Sequence, residues 1–343
     1  MIARVALFLA VLLACPLAGC ASKSGSQSGS QTKVKVGMVT DVGGLGDRSF
    51  NDSAYAGLQA CKKQLGTAIQ VLQSKSAADY QPNLTVLATA NYDEIFAIGF
   101  LMNKDLAEVA HRFEKTHFAI IDAVVDAPNV ESVTFKEEDG SFLAGALAAL
   151  VSKTKTIAFL GGMDIPLLRK FEVGFAAGAR EVDPNVKVLV KYVGSFDDVA
   201  AGKELAGVLF NQGADIIYAA AGKSGLGTIE LAKVRPNDYV IGVDSNQDAL
   251  APGKVLTSMV KRVDNGVLSV CQQLVSGKPA SGHIVLGLAQ DGVGLTDFQY
   301  TKSLIGAAKI ARVNRIRQAI VEGKIVPPAT REELDKFKPV PVP

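Results

Sequence analysis

The chain has 343 residues, with 36 Lys and Arg against 34 Asp and Glu, 48% hydrophobic residues, 33 Gly, 4 Cys and no Trp; at roughly 150 residues per domain it has room for about two domains with real cores. A formal charge of +2 gives none of the basic face that a polyanion requires, which excludes nucleic acid as a partner. Nearly half the chain is apolar and 20% is charged, so it is not a disordered chain, and so few cysteines exclude a disulfide-stapled miniprotein.

Residues 1–20 read MIARVALFLAVLLACPLAGC, with Arg4, an apolar run from Val5 to Cys15, and then Leu17-Ala18-Gly19-Cys20. The run is too short to cross a ~30 Å hydrocarbon core at about 1.5 Å per residue. It reads as the apolar region of a secretory signal. Leu-Ala-Gly-Cys resembles the bacterial lipobox, which implies cleavage after Gly19 and acylation of the Cys20 sulfur. Ala21 to Gln31, ASKSGSQSGSQ, reads as a flexible tether. The expected organisation is a signal peptide at 1–19, then the lipidated Cys20 and its tether at 20–33. The mature chain would be held at the cell membrane by lipid, not by a span, and face the periplasm or cell exterior. Cys61 and Cys271 fall at helical positions and read as two buried thiols in preference to a disulfide.

From Val34 onward, short β-branched runs alternate with amphipathic stretches. Strands are predicted at Val34–Thr40, Ala68–Gln73, Glu94–Ile98, His117–Ile121 and Val130–Phe135, with helices near Ser49–Leu65, Asp79–Ala90 and Asn103–Lys115. A second series has strands at Thr156–Leu160, Val186–Tyr192, Asp215–Tyr218 and Tyr239–Val243, and helices near Pro166–Glu181, Val199–Asn211 and Gly227–Ala232. Leu256–Val263 leads into a helix at Asp264–Ser276, and a helix at Lys309–Glu322 precedes a Pro-rich tail, Val326–Pro343. This is βαβ reading. It predicts an α/β fold of two doubly wound parallel-sheet lobes, with lobe I at 34–135 plus about 264–343 and lobe II at 136–263. No Pro/Gly linker separates them, so the chain is expected to cross by short, structured hinge strands.

Ligands of such sheets bind outside the carboxyl ends of the strands. Those ends carry Thr40-Asp41, Gly99 and Asp122 in the first series, and Gly161-Gly162, Ala221-Gly222 and Asp244 in the second. Each acid singly could cap a helix or form a turn; together they point into one cleft. Gly44-Leu-Gly46-Asp-Arg-Ser49 nearly matches a dinucleotide fingerprint, but Ser49 replaces the third Gly and Gln73-Ser-Lys-Ser76 offers no acid after the second strand. Gly222-Lys223-Ser224 looks like the end of a P-loop, yet Ile217 stands where its first Gly belongs. His111, His117 and His283 are dispersed, and neither a metal-ligand spacing nor a G-x-S-x-G elbow occurs.

Seven segments carry a family resemblance: Asp41-Val-Gly-Gly-Leu-Gly-Asp-Arg-Ser-Phe50-Asn51-Asp, Tyr92-Asp-Glu-Ile-Phe-Ala-Ile-Gly-Phe100, Phe118-Ala-Ile-Ile-Asp122, Phe171-Glu-Val-Gly-Phe-Ala-Ala-Gly178, Ala221-Gly-Lys-Ser-Gly-Leu-Gly227, Ile241-Gly-Val-Asp244 and Ser258-Met-Val-Lys261-Arg-Val-Asp264. In this order, from Val34 to about Gly294, they resemble the basic membrane protein family of ABC-transporter substrate-binding lipoproteins, in the branch of the purine nucleoside receptors. The resemblance implies a type I periplasmic-binding-protein clamp. It implies no enzyme and no cofactor or metal, and a monomer that passes a purine nucleoside to a membrane permease and its ATPase. It places a base on Phe50 and polar contacts to that base at Asp41, Asn51 and Asp122. Asp244 and Lys261 match the positions that hold the sugar, and Gly222 a close approach of backbone to ligand. Asp47 is as well suited to capping the first helix. The second aromatic of the family's sandwich has no clear match; Phe196, Tyr218 and Met163 are the candidates. Other readings are the same fold around a sugar, base or autoinducer, a nucleoside hydrolase using the Asp cluster, and a surface antigen without a transport role.

Overall fold

A computed structural model describes residues 33–341; the signal, the lipobox with Cys20 and nearly all of the tether lie outside the described residues. The first predicted series folds as β1 (Lys35–Thr40), α1 (Phe50–Leu65), β2 (Ala68–Gln73), α2 (Tyr80–Thr89), β3 (Glu94–Ile98), α3 (Asn103–Arg112), β4 (His117–Ile121) and β5 (Val130–Phe135). The second contains α4 (Glu137–Val151), β6 (Thr156–Gly161), α5 (Pro166–Val182), β7 (Lys187–Tyr192), α6 (Val199–Asn211), β8 (Ile216–Ala220), α7 (Gly225–Lys233), β9 (Tyr239–Asp244) and β10 (Val255–Lys261). The chain continues through α8 (Val263–Val275), β11 (Gly282–Leu286), β12 (Val293–Leu295), α9 (Lys302–Ile305), α10 (Ala307–Val321) and α11 (Arg331–Lys336).

Two six-stranded sheets result, in the orders β11-β5-β4-β3-β1-β2 and β12-β10-β9-β8-β6-β7. Apart from the added strand at one edge, both are the same doubly wound arrangement. All pairings are parallel except that of β12 with β10. The central strands β3 and β8, EIFAI and IIYAA, are buried along their whole length, while the edge strands β2 and β7 are partly exposed throughout. Continuous apolar runs suit strands covered by helices on both faces. Local chemistry sets the helix ends. Gly66 closes α1 in the left-handed conformation, its N–H bonded to the Lys62 carbonyl at 3.2 Å, and Pro166 opens α5.

The α4 segment was not among the predicted helices. Twelve of its fifteen residues are buried, so it has no polar face and no amphipathic period to read. It packs along α5 at backbone contact: a Cβ on Gly145 would run into the Phe175 carbonyl, and one on Gly178 into that of Phe142.

Residues after 264 do not all return to the first lobe, as the sequence reading had them. Helix α8 packs on α1 and β11 extends the first sheet, but β12 pairs with β10 while α10 and α11 pack on α4 and α5. The chain therefore crosses between sheets three times, near Lys136, Arg262 and Gly287. The crossings are tied together, Lys136 N–H to the Leu286 carbonyl at 3.0 Å and Arg262 N–H to that of Gly292 at 2.8 Å. The Pro-rich tail also holds a helix, α11, capped by the Thr330 hydroxyl.

Cys61 of α1 and Cys271 of α8 form a disulfide, with Cα atoms 6.1 Å apart, which corrects the expectation of two free thiols. Helical position alone cannot say that two faces 210 residues apart in sequence meet. Among the described residues no helix is long and apolar enough to cross a membrane.

Candidate functional site

In both sheets the winding reverses beside the first strand, between β1 and β3 and between β6 and β8. A crevice opens at the carboxyl ends of the strands there. The two crevices face each other across one cavity, with about 550 Å³ of empty space, open mouth included. Asp41 follows β1, Phe50 and Asn51 open α1, and Asp122 follows β4; opposite them stand Gly222 after β8, Asp244 ending β9 and Lys261 ending β10. All seven residues singled out from sequence line this cavity.

Their bonding departs in places from the expected pattern. Asp41 Oδ1 accepts from Gly43 N–H at 2.9 Å and from Asn51 Nδ2 at 2.8 Å. Burial pushes its pKa up to about 6 despite those two bonds. Asp244 Oδ2 accepts from the Ser49 hydroxyl at 2.6 Å, and burial, opposed by Lys261, pushes its carboxyl up to about 6 as well. The Lys261 ammonium donates to Asp122 Oδ2, not to Asp244, and lies 3.8 Å from Glu137 Oε1. Burial works against its charge, but Asp122, Asp244 and Glu137 outweigh burial and hold its pKa above the ordinary value. It also faces three rings, 4.8 Å from the centroid of Phe50 and 5.5 Å from those of Phe135 and Phe171.

Glu137 was not read from sequence. It is fully buried at the start of α4, and burial pushes its pKa up to about 7. The only signal was an acidic Glu-Glu-Asp run directly after a strand, which reads equally well as a helix N-terminus. Asp47 lines the cavity but also takes backbone N–H groups from Ser49, Asn51 and Asp52 at 2.9, 2.8 and 3.1 Å, so it holds the opening of α1.

The second lobe brings two aromatics to the cavity, Phe171 and Phe196. Tyr218 is not one of them. It is buried between Phe159 and Phe175, ring centroids 5.7 and 5.4 Å away, with its hydroxyl 3.2 Å from Ser141 Oγ. Nor does Met163 line the cavity. Gly222 has φ of 55°, and a Cβ there would lie 3.3 Å from the Phe196 carbonyl oxygen. A left-handed turn packed against Phe196 thus favours glycine at this position.

The model of the family described as Bmp, ABC transporter substrate-binding protein PnrA-like, matches residues 34–331. The chain is 36% identical over 337 residues to the ABC transporter nucleoside-binding protein BmpA of Lactococcus lactis, covering 91% of this chain and 95% of that protein. It is 35% identical over 318 residues to an uncharacterized lipoprotein of Pyrococcus abyssi, covering 88% of this chain and 79% of that one. Among solved structures, an ABC transporter solute-binding protein from Aeropyrum pernix superposes with a TM-score of 0.81 at 27% identity, over 88% of this chain and 96% of the other. With the two-lobed fold and the cleft between its switch points, these likenesses establish that the chain belongs to the PnrA-like Bmp family of ABC transporter substrate-binding proteins.

Proposed function

We propose that the cleft captures a purine nucleoside and that the chain, anchored through a lipid on Cys20, hands it to a membrane permease powered by an ATPase. The observation that carries this reading is the composition of the cavity wall: rings from both lobes, Phe50 against Phe171 and Phe196, and carboxylates from both lobes, Asp41 and Asp122 against Asp244. A flat aromatic ligand stacks on such rings, and the carboxylates accept from its ring N–H groups and sugar hydroxyls. The residues proposed to contact it are Asp41, Phe50, Asn51, Asp122, Gly222, Asp244 and Lys261, joined by Phe196 as the second stacking ring. Four carboxylates, Asp41, Asp47, Asp122 and Asp244, share the cavity with only two lysines, Lys223 and Lys261, which disfavours a phosphorylated ligand. The name of the Lactococcus relative supports the same ligand class.

Binding works by closure. Contacts made by both lobes at once stabilise the closed form by their differential free energy, and no bond of the ligand is broken. The deciding experiment is calorimetric titration of lipid-free protein beginning at Ser22 with inosine, guanosine, adenosine, uridine and ribose. A purine nucleoside is expected to give saturable heat where ribose gives none; silence with every purine nucleoside would remove the reading. Chromatography of the titrated sample is expected to show intact nucleoside, and free base would point to hydrolysis. Palmitate labelling is expected to disappear in Cys20→Ser, and retained label would place the lipid elsewhere.

A further inference from the structure

Resting on the nucleoside reading, we propose that Asp47, acting through Asn51, is the positioning residue that makes the cleft accept a base by its N–H donor edge. Asn51 is 2% exposed. Its Nδ2 donates to Asp41 Oδ1 at 2.8 Å and to Asp47 Oδ2 at 3.0 Å, so both amide hydrogens are committed to carboxylates. This settles the orientation of the amide, because the flipped form would set its oxygen against two carboxylate oxygens. The amide oxygen is therefore turned away from both, and it is buried without a hydrogen-bond partner. Asp47 cannot release the amide cheaply. Its two oxygens also hold the backbone N–H groups of Ser49, Asn51 and Asp52.

Asn51 and Asp41 both line the cavity, so on this inference a ligand that enters it pairs with two acceptors from one lobe: Asn51 Oδ1, and the second oxygen of Asp41, whose first is occupied by Gly43 and Asn51. A buried acceptor left unpaired is costly, so the matching edge carries adjacent N–H donors. A 6-oxo-2-aminopurine has them in its ring N–H and 2-amino group. Adenine instead places a bare ring nitrogen beside its amine, acceptor against acceptor. A site built to pair with a donor rejects an analogue that lacks it.

The test is calorimetry at pH 8 with guanosine and adenosine on wild type, Asp47→Asn and Asp47→Ser. Wild type is expected to bind guanosine at least about tenfold more tightly than adenosine, the effect of one unpaired acceptor. In Asp47→Asn the side-chain oxygen can stay on the Ser49 and Asp52 N–H groups, but an NH₂ replaces the oxygen that accepts from Asn51 Nδ2, so the amide keeps only its hold on Asp41 and its orientation loosens; the guanosine-to-adenosine ratio should fall at least about fivefold. Asp47→Ser keeps an acceptor for the helix start but cannot hold the amide, and the ratio should fall there too. A role confined to capping α1 would lower the melting temperature and leave the ratio alone. Folded variants with the wild-type ratio would overturn the inference, and so would a wild type that binds adenosine as tightly as guanosine; both leave the nucleoside reading standing. A wild type that binds no purine nucleoside takes down the two together.

Discussion

Phe50 stands half-buried at the mouth of α1, and Phe196 lines the cavity from the loop between β7 and α6, packed against Gly222. Each ring offers a base about 1–3 kcal/mol of stacking, so Phe50→Ala and Phe196→Ala should each weaken guanosine binding by roughly 10–100-fold. Tyr218→Phe should leave affinity within about twofold, since its hydroxyl meets Ser141 in the core and not the ligand. An unchanged affinity in Phe196→Ala would return the second stacking position to Phe171. The carboxyls make a prediction in pH. Burial raises Asp41 and Asp244 from 3.8 to about 6 in the folded state. Their contribution to stability is fully present below the unfolded value and is lost as pH rises through about 6. The ligand-free protein should thus lose stability from this source between about pH 4 and pH 7, while binding, which uses the ionised acceptors, strengthens over the same range. Thermal melts with and without guanosine across that range would show the ligand-induced shift growing with pH, and a flat shift would exclude both carboxyls as acceptors. The acids of the cleft were legible because a carboxylate at the end of a strand, in a doubly wound series, has one place to point. Phe171 was not, because it reaches the cavity from a helix whose facing only packing decides, and neither was Glu137, which meets Lys261 from the start of α4.

At the scale of elements, the disulfide ties α1, which carries Phe50 and Asn51 at its start, to α8, which arrives after the chain has left the first lobe and come back. Closing so long a loop restricts the unfolded chain, and removing such a bridge costs about 2–4 kcal/mol. Cys61→Ala with Cys271→Ala should lower stability toward urea by about that amount. Guanosine affinity at 25 °C should stay within about twofold, since Cys61 lies roughly three turns of helix from Phe50. A large loss of affinity with unchanged stability would mean that the bridge shapes the site itself. Most elements were readable from period and punctuation. The exceptions share one cause: α4 is buried along most of its length, β11 and β12 are short edge strands, α9 is a single turn, and α11 lies inside a Pro-rich stretch. Each is held by tertiary partners, with little local pattern of its own.

For the whole molecule, the lobes meet in direct contacts around the cleft. Ser49 Oγ donates to Asp244 Oδ2 at 2.6 Å, Ser245 Oγ to the Ser49 carbonyl at 2.7 Å, and Gln247 Nε2 to that of Arg48 at 3.0 Å; the Lys261–Asp122 pair joins them. These bonds tie the two lobes to each other directly across the cleft. A hydrogen bond to a charged group is worth about 1.5–3 kcal/mol, so Ser49→Ala should weaken guanosine binding by about tenfold or more. Solution scattering of the ligand-free variant should also give a larger radius of gyration than wild type. Equal radii and equal affinities would show the tie to be idle. The sequence by itself determined the doubly wound lobes, the strand-end acids and the family, because hydrophobic period, turn residues and ordered motifs are local properties of the chain. Tertiary structure decided the third crossing, the bridge between Cys61 and Cys271, the partner of Lys261 and the direction of the Asn51 amide. Those depend on which surfaces meet, and a meeting across more than a hundred residues, such as Asp122 with Lys261, is set by the packing of whole elements and leaves no local trace.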